Sequence, residues 1–151
     1  ALSGLADCHR GLNQQDRSLV YWERILAKDP DNKVILTRVG DAWRKLGEAQ
    51  KARDHYGRAL DLEYDPYAII GMATIHRQEG NLAQAIQSLE GVIHQTPGLA
   101  RPYTDLMECY VSVGDHSRAL ALIKEVPQDQ EALQPLRERL RVMAGAGAGL
   151  N

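Results

Sequence analysis

Phenylalanine is absent from this chain of 151 residues, and aromatic side chains of any kind make up only 5% of it. Its core therefore has to be built from Leu, Ile, Val, Ala, Tyr and Trp. Neither sign of charge is in excess: 18 basic and 20 acidic side chains leave a net charge of -2. That balance gives no support for a bulk electrostatic grip on nucleic acid or anionic lipid. No apolar run approaches the roughly 18 residues that a membrane span needs, and residues 1–9 lack the basic start and apolar centre of a secretory signal. What remains is 44% hydrophobic and 25% charged, a balance that reads as a soluble folded chain.

Chemistry-bearing patterns are equally scarce. The two cysteines, Cys8 and Cys109, fall at the same point of an internal repeat described below, three repeats apart. At about 9 Å per helix step they lie beyond the ~7 Å Cα separation that a disulfide tolerates. Free, half-buried thiols are expected, compatible with an intracellular setting, and the chain is assigned to the cytoplasm. Cys8 and His9 are adjacent, so on a helix they point about 100° apart, and no second Cys/His pair with ligand spacing exists. No metal and no cofactor is expected. His9, His55, His76, His94 and His116 lie in no zinc-protease motif and beside no nucleophile elbow. The Gly145–Gly149 stretch has neither the preceding strand nor the following Lys-Ser/Thr of a phosphate loop. No catalytic residue is identified, and the chain reads as a non-enzyme.

What the sequence does contain is a repeat. The glycines Gly47, Gly80 and Gly114 recur 33 and 34 residues apart, and stepping back 34 from Gly47 reaches Asn13, which tolerates the same left-handed backbone. Five residues after each marker stand Ser18, Ala52, Ala85 and Ala119, all small; nine after stand Trp22, Tyr56, Leu89 and Ile123, all bulky. Before the markers the apolar positions are Leu5, Val39, Met72 and Leu106, and Leu2, Leu36, Ile69 and Tyr103, while rings stand at His9, Trp43, His76 and Tyr110. Apolar spacings of 3, 4 and 7 on both sides of a Gly describe two amphipathic helices joined by a left-handed turn. Small residues facing bulky ones let the two helices approach closely. Pro30, Pro66, Pro97 and Pro127 then end or redirect each second helix, and the early Pro127 predicts a short one in the fourth copy.

The pattern resembles the tetratricopeptide repeat family, best in the copy Leu36, Val39, Gly40, Trp43, Gly47, Ala52, Tyr56 and Ala59. The resemblance covers residues 1 to about 133 in four copies. It implies an all-α fold, a right-handed superhelical solenoid of antiparallel helix pairs. The expected organisation is one repeat domain over 1–144, with units at about 1–32, 33–65, 66–99 and 100–133. A capping helix follows at about 134–144, on the stripe Leu133, Leu136, Leu140 and Met143, and then a flexible Gly/Ala tail at 145–151. Because Ala1 already falls inside a first helix, the chain reads as an excerpt of a longer protein.

The resemblance also implies function: first helices line a concave groove that holds a peptide or a partner surface. Carried over position by position, the groove row six before the marker is Asp7, Asp41, Thr74 and Glu108, and the row three before is Arg10, Arg44 and Arg77. Ten before stand Thr37, Ile70 and Thr104; thirteen before, Val34, Tyr67 and Arg101; two before, Lys45 and Gln78. The arginine row offers forked donors to a ligand's carboxylates or carbonyls, unless Asp7–Arg10 and Asp41–Arg44 are merely (i, i+3) pairs on a solvated face. Tyr67 with Ile70 is the expected apolar anchor. The lysine and asparagine with which chaperone-binding members clamp a terminal carboxylate are missing. The expected role is a non-catalytic protein-interaction scaffold with a protein or peptide partner, no nucleic acid and no membrane span. Self-assembly into a homo-oligomer through its end faces, or service as an accessory domain of a larger enzyme or regulatory protein, are the alternatives.

Overall fold

In the computed structural model, residues 15–147 are described in their backbone and 17–145 in their side chains. Eight α-helices follow one another: α1 (Gln15–Lys28), α2 (Lys33–Lys45), α3 (Ala49–Leu62), α4 (Pro66–Gln78), α5 (Leu82–Gln95), α6 (Ala100–Val113), α7 (His116–Glu125) and α8 (Gln134–Gly147). A single 3-10 turn at Glu131–Leu133 leads into α8, and no strand occurs among the described residues. The chain is all-helical, packed in consecutive helix pairs. Its two compact units divide in sequence between Ile75 and His76.

The marker glycines turn the chain between paired helices. Gly47, Gly80 and Gly114 have φ of 83°, 80° and 74°, the left-handed region that side chains with a Cβ rarely enter. Each closes the same pair of bonds. The residue after the glycine donates back five positions, Glu48 to the Trp43 carbonyl at 2.9 Å, Asn81 to that of His76 at 2.8 Å and Asp115 to that of Tyr110 at 2.9 Å. The glycine N–H itself reaches Arg44, Arg77 and Val111 at 3.0–3.1 Å. This double closure satisfies carbonyls that a helix end otherwise leaves without donors. The fourth marker, Asn13, lies outside the described residues.

Three helix starts, those of α2, α4 and α7, are capped from side chains. Asn32 accepts from the Ile35 N–H at 3.2 Å, and Asp115 from that of Arg118 at 3.1 Å. Asp65 does more. One carboxylate oxygen accepts the Tyr67 N–H at the start of α4, and the other accepts the Thr37 hydroxyl of α2 at 2.7 Å. Asp65 thus ties the beginning of one first helix to the middle of the preceding one, and Pro66 follows it where a missing N–H costs nothing.

In the first unit Leu19, Trp22 and Leu26 of α1, Ile35, Leu36, Val39 and Ala42 of α2 and Ala52, Tyr56 and Ala59 of α3 form one buried cluster with Ala68 and Ile75 of α4. In the second, α6 packs on α5, α7 and α8, burying Leu89, Tyr103, Leu106, Met107, Leu122 and Leu140. The small positions Ala52, Ala85 and Ala119 are all buried. Cys109 is a free, buried thiol, pushed above its ordinary pKa by burial; Cys8 lies outside the described residues. Helix α7 has ten residues against fourteen in α3 and α5, cut short ahead of Pro127.

Two details depart from the sequence pattern. Helix α8 continues to Gly147, so 145–147 extend the capping helix instead of beginning a tail. In α4, Ile69 and Met72 are only half-buried while Ile70 is 2% exposed. This helix is apolar almost all round, so spacing alone could not say which side faces inward.

Candidate functional site

In the first unit the groove positions split into exposed and engaged. Val34, in the first turn of α2, is 56% exposed and Tyr67, at the same register in α4, is 59% exposed. Lys45 is exposed as well. The expected partner of Tyr67 fails: Ile70 is buried and presents no anchor surface, a correction to the paired pocket. Thr37 is also withdrawn, its hydroxyl spent on Asp65. Thr74 is half-buried and bonds the Ile70 carbonyl at 3.0 Å, within its own helix.

Arg44 and Asp41 meet as the (i, i+3) spacing implies, at 3.6 Å. A third group joins them. The Tyr56 hydroxyl of α3 donates to Asp41, and the Arg44 Nε–H donates to the same hydroxyl at 3.2 Å. Burial, the Asp41 charge and the bond to Asp41 together hold the phenol well above its ordinary pKa. Burial works against the Arg44 charge, but Tyr56 and Asp41 outweigh it and raise its pKa. Arg44 is therefore a packing element, only 13% exposed. A Tyr buried in a close helix contact needs a partner for its hydroxyl; the charged pair facing it was the available signal.

The second unit has its own charged cluster. Arg77 bonds Glu108 and lies 3.7 Å from Asp105, which in turn lies 3.5 Å from Arg101 one turn back on α6. Burial, with help from Glu108, outweighs both guanidiniums and raises the Asp105 pKa. Arg77, like Arg44, keeps a raised pKa against burial because Glu108 and Asp105 hold it. Arg101 remains 59% exposed. It borders a trough of about 480 Å³ between α6 and α8, with Thr104 and Asp105 on one wall and Pro135, Leu136 and Arg139 on the other. The α8 wall was missed in the sequence, where only its buried stripe stood out. Gln78 is exposed. Asp7 and Arg10 lie outside the described residues. Among the described residues no group of three or more His, Cys, Asp or Glu side chains could hold a metal ion, and no helix is long and apolar enough to cross a membrane.

Comparison with known proteins gives a consistent result. Two family models, each described as Tetratricopeptide repeat, match residues 76–140 and 1–32. A Drosophila melanogaster protein described as a BBSome complex member BBS4 homolog is 20% identical over 108 residues, 70% of this chain. The chain spans only 22% of that relative's length. The crystal structure of MamA superposes with a TM-score of 0.72 at 20% identity, over 96% of this chain and 85% of its own. A tetratricopeptide repeat protein from Parabacteroides merdae superposes with a TM-score of 0.76 at 19% identity, over 99% of this chain and 58% of its own. YrrB, described as a TPR protein with an unusual peptide-binding site, superposes with a TM-score of 0.65 at 14% identity, over 99% of this chain and 77% of its own.

Proposed function

Since the chain belongs to the tetratricopeptide repeat family, whose repeats typically mediate protein interactions and are typically non-catalytic, we propose that it is a binding scaffold without an active site. It takes a peptide or partner surface along the outward side of its first helices. The observation that carries this reading is one register position. Thirteen residues before the marker, α2, α4 and α6 each put a large side chain into solvent: Val34, Tyr67 and Arg101, 56%, 59% and 59% exposed. Solvent exposure of Val and Tyr gains nothing in an isolated fold, and such side chains are the usual anchors of an interface. YrrB has a peptide-binding site and the Drosophila relative belongs to a protein complex; both fit this reading.

In the second unit Arg101 with Thr104 and Gln78 supplies polar contacts, and in the first Lys45 does so beside the exposed Val34 and Tyr67. Arg44 and Arg77 act differently from free forks, because both are already engaged by acidic partners. They hold their helices in place and offer a ligand only what those partners leave.

Peptides selected from a random display library against this protein provide the test. Tyr67→Ala should weaken their binding about tenfold, as expected for loss of an aromatic anchor, and Arg101→Glu should weaken acidic peptides most. Equal affinity for both variants, or peptides that map to Leu62 on α3, would exclude the first-helix face.

A further inference from the structure

A second concave feature lies away from the first-helix positions. Helices α7 and α8 enclose a cleft of about 890 Å³, nearly twice the trough beside Arg101. On α7 it is lined by His116, Ala119, Leu120, Ile123 and Lys124, and on α8 by Arg137, Arg141 and Ala144. The α7 positions repeat every three to four residues and the α8 positions are four and three apart, so the cleft follows one face of each helix for two turns, about 11 Å. A channel bounded lengthwise by two helices has the form of the seat into which a third helix packs. Its floor is apolar, and Leu120 at its edge is 59% exposed.

The charge on its border has one sign in excess. Lys124, Arg137 and Arg141 stand around it, in a chain whose net charge is -2. Arg141 is held by Glu138 of its own helix. Neither Lys124 nor Arg137 has a carboxylate partner among the described residues, and Arg137 Nε is buried without an acceptor. The other arginines from 77 to 118 are paired: Arg77 with Glu108, Arg101 with Asp105, Arg118 with Glu90 and Asp115. A buried guanidinium N–H without an acceptor is costly to leave so.

We propose that the α7–α8 cleft is a second docking site, which accepts an acidic amphipathic helix from a partner protein. Leu or Ile side chains of that helix fill the floor beside Leu120 and Ile123. Carboxylates on its flanks meet Lys124 and Arg137, supplying the acceptor that Arg137 Nε lacks. Apolar filling gives the affinity, and the basic border selects acidic over basic helices.

The test uses the full chain and two synthetic peptides of about 15 residues, long enough to form a helix on binding. Both have Leu at helical spacing, one with Glu and the other with Lys on the flanks. Fluorescence anisotropy should show the Glu peptide binding at least about tenfold more tightly, and Lys124→Glu with Arg137→Glu should invert that preference. Leu120→Asp, at an exposed position, should abolish binding while leaving helix content and melting unchanged, and Tyr67→Ala should have no effect. Equal binding of the two peptides, or a preference that survives the double charge reversal, overturns the proposal. So does self-association, seen by light scattering without peptide and removed by Leu120→Asp, because the seat would then belong to a second copy. Either failure leaves the first-helix reading standing, since that rests on Tyr67 and Arg101.

Discussion

The ring of Tyr56 lies so close to Gly71 that a Cβ built on the glycine would stand 2.4 Å from ring atom Cζ, and on the same ring's other contact a Cβ at Gly40 would stand 2.6 Å from Cε1. One side chain of α3 is thus clasped between two first helices, and both can approach only because each carries glycine at the contact. The ring cannot swing aside, because its hydroxyl is bonded to Asp41 and Arg44.

Gly71→Ala and Gly40→Ala should each destabilise the protein by about 1–3 kcal/mol, the usual cost of forcing extra atoms into a packed core. Gly57→Ala is the control. Gly57 sits within α3 with nothing within 4 Å of an added Cβ, so alanine there should stabilise by about 0.5–1 kcal/mol through helix propensity. Urea melts of the three variants check the order, and an unaffected Gly71→Ala protein would contradict the clasp.

Arg44→Ala removes a partner from a buried hydroxyl and from Asp41 together, and should cost about 1–3 kcal/mol. Lys45→Ala, next along the chain but exposed, should stay within about 0.5 kcal/mol of the parent. If instead Arg44→Ala melts with the parent while losing peptide affinity, Arg44 is a ligand contact and its bond to Tyr56 is incidental.

The repeat was legible because its signals are local. Gly47, Gly80 and Gly114 mark left-handed turns that favour glycine, and Ala52, Ala85 and Ala119 mark close approaches that admit only small side chains. Early termination of α7 followed from Pro127. What escaped is what local spacing does not encode. Ile70 was assigned outward because α4 is apolar on nearly every side, so no polar stripe fixed its rotation. The arginine row looked available because its partners are distant in sequence: Tyr56 stands 12 residues from Arg44, and Glu108 stands 31 from Arg77. The α8 wall of the trough was hidden for a similar reason, since a stripe of Leu133, Leu136 and Leu140 announces burial and says nothing of its flank.

The Thr37–Asp65 bond should couple α2 to the start of α4. Thr37→Val keeps the shape but leaves a buried carboxylate oxygen without its donor, and should cost about 1–3 kcal/mol. Asp65→Asn weakens both the bond and the cap on Tyr67, at about 1 kcal/mol for the cap. The double variant should lose clearly less than the sum, as residues sharing one bond do. Strict additivity in a double-mutant cycle would show that the two side chains act independently.

Asp105 gives the fold a pH dependence of unusual sign for a carboxylate flanked by two arginines. Burial raises its pKa above the ordinary 3.8 despite Arg101 and Arg77. Between 3.8 and that raised value the folded state holds a proton that the unfolded state has released. Its contribution to stability is therefore fully present below the unfolded value and is lost as pH rises through the folded one. Asp105→Asn removes this term. From about pH 4 to pH 7 the variant's stability relative to the parent should rise, even though its ion pairs with Arg101 and Arg77 are gone, because a neutral amide escapes the cost of a charge buried to 16% exposure. Denaturant melts of both proteins across that range measure the difference. A parent that gains on Asp105→Asn as the pH rises would mean the guanidiniums outweigh burial, and the sign assigned to Asp105 would be wrong.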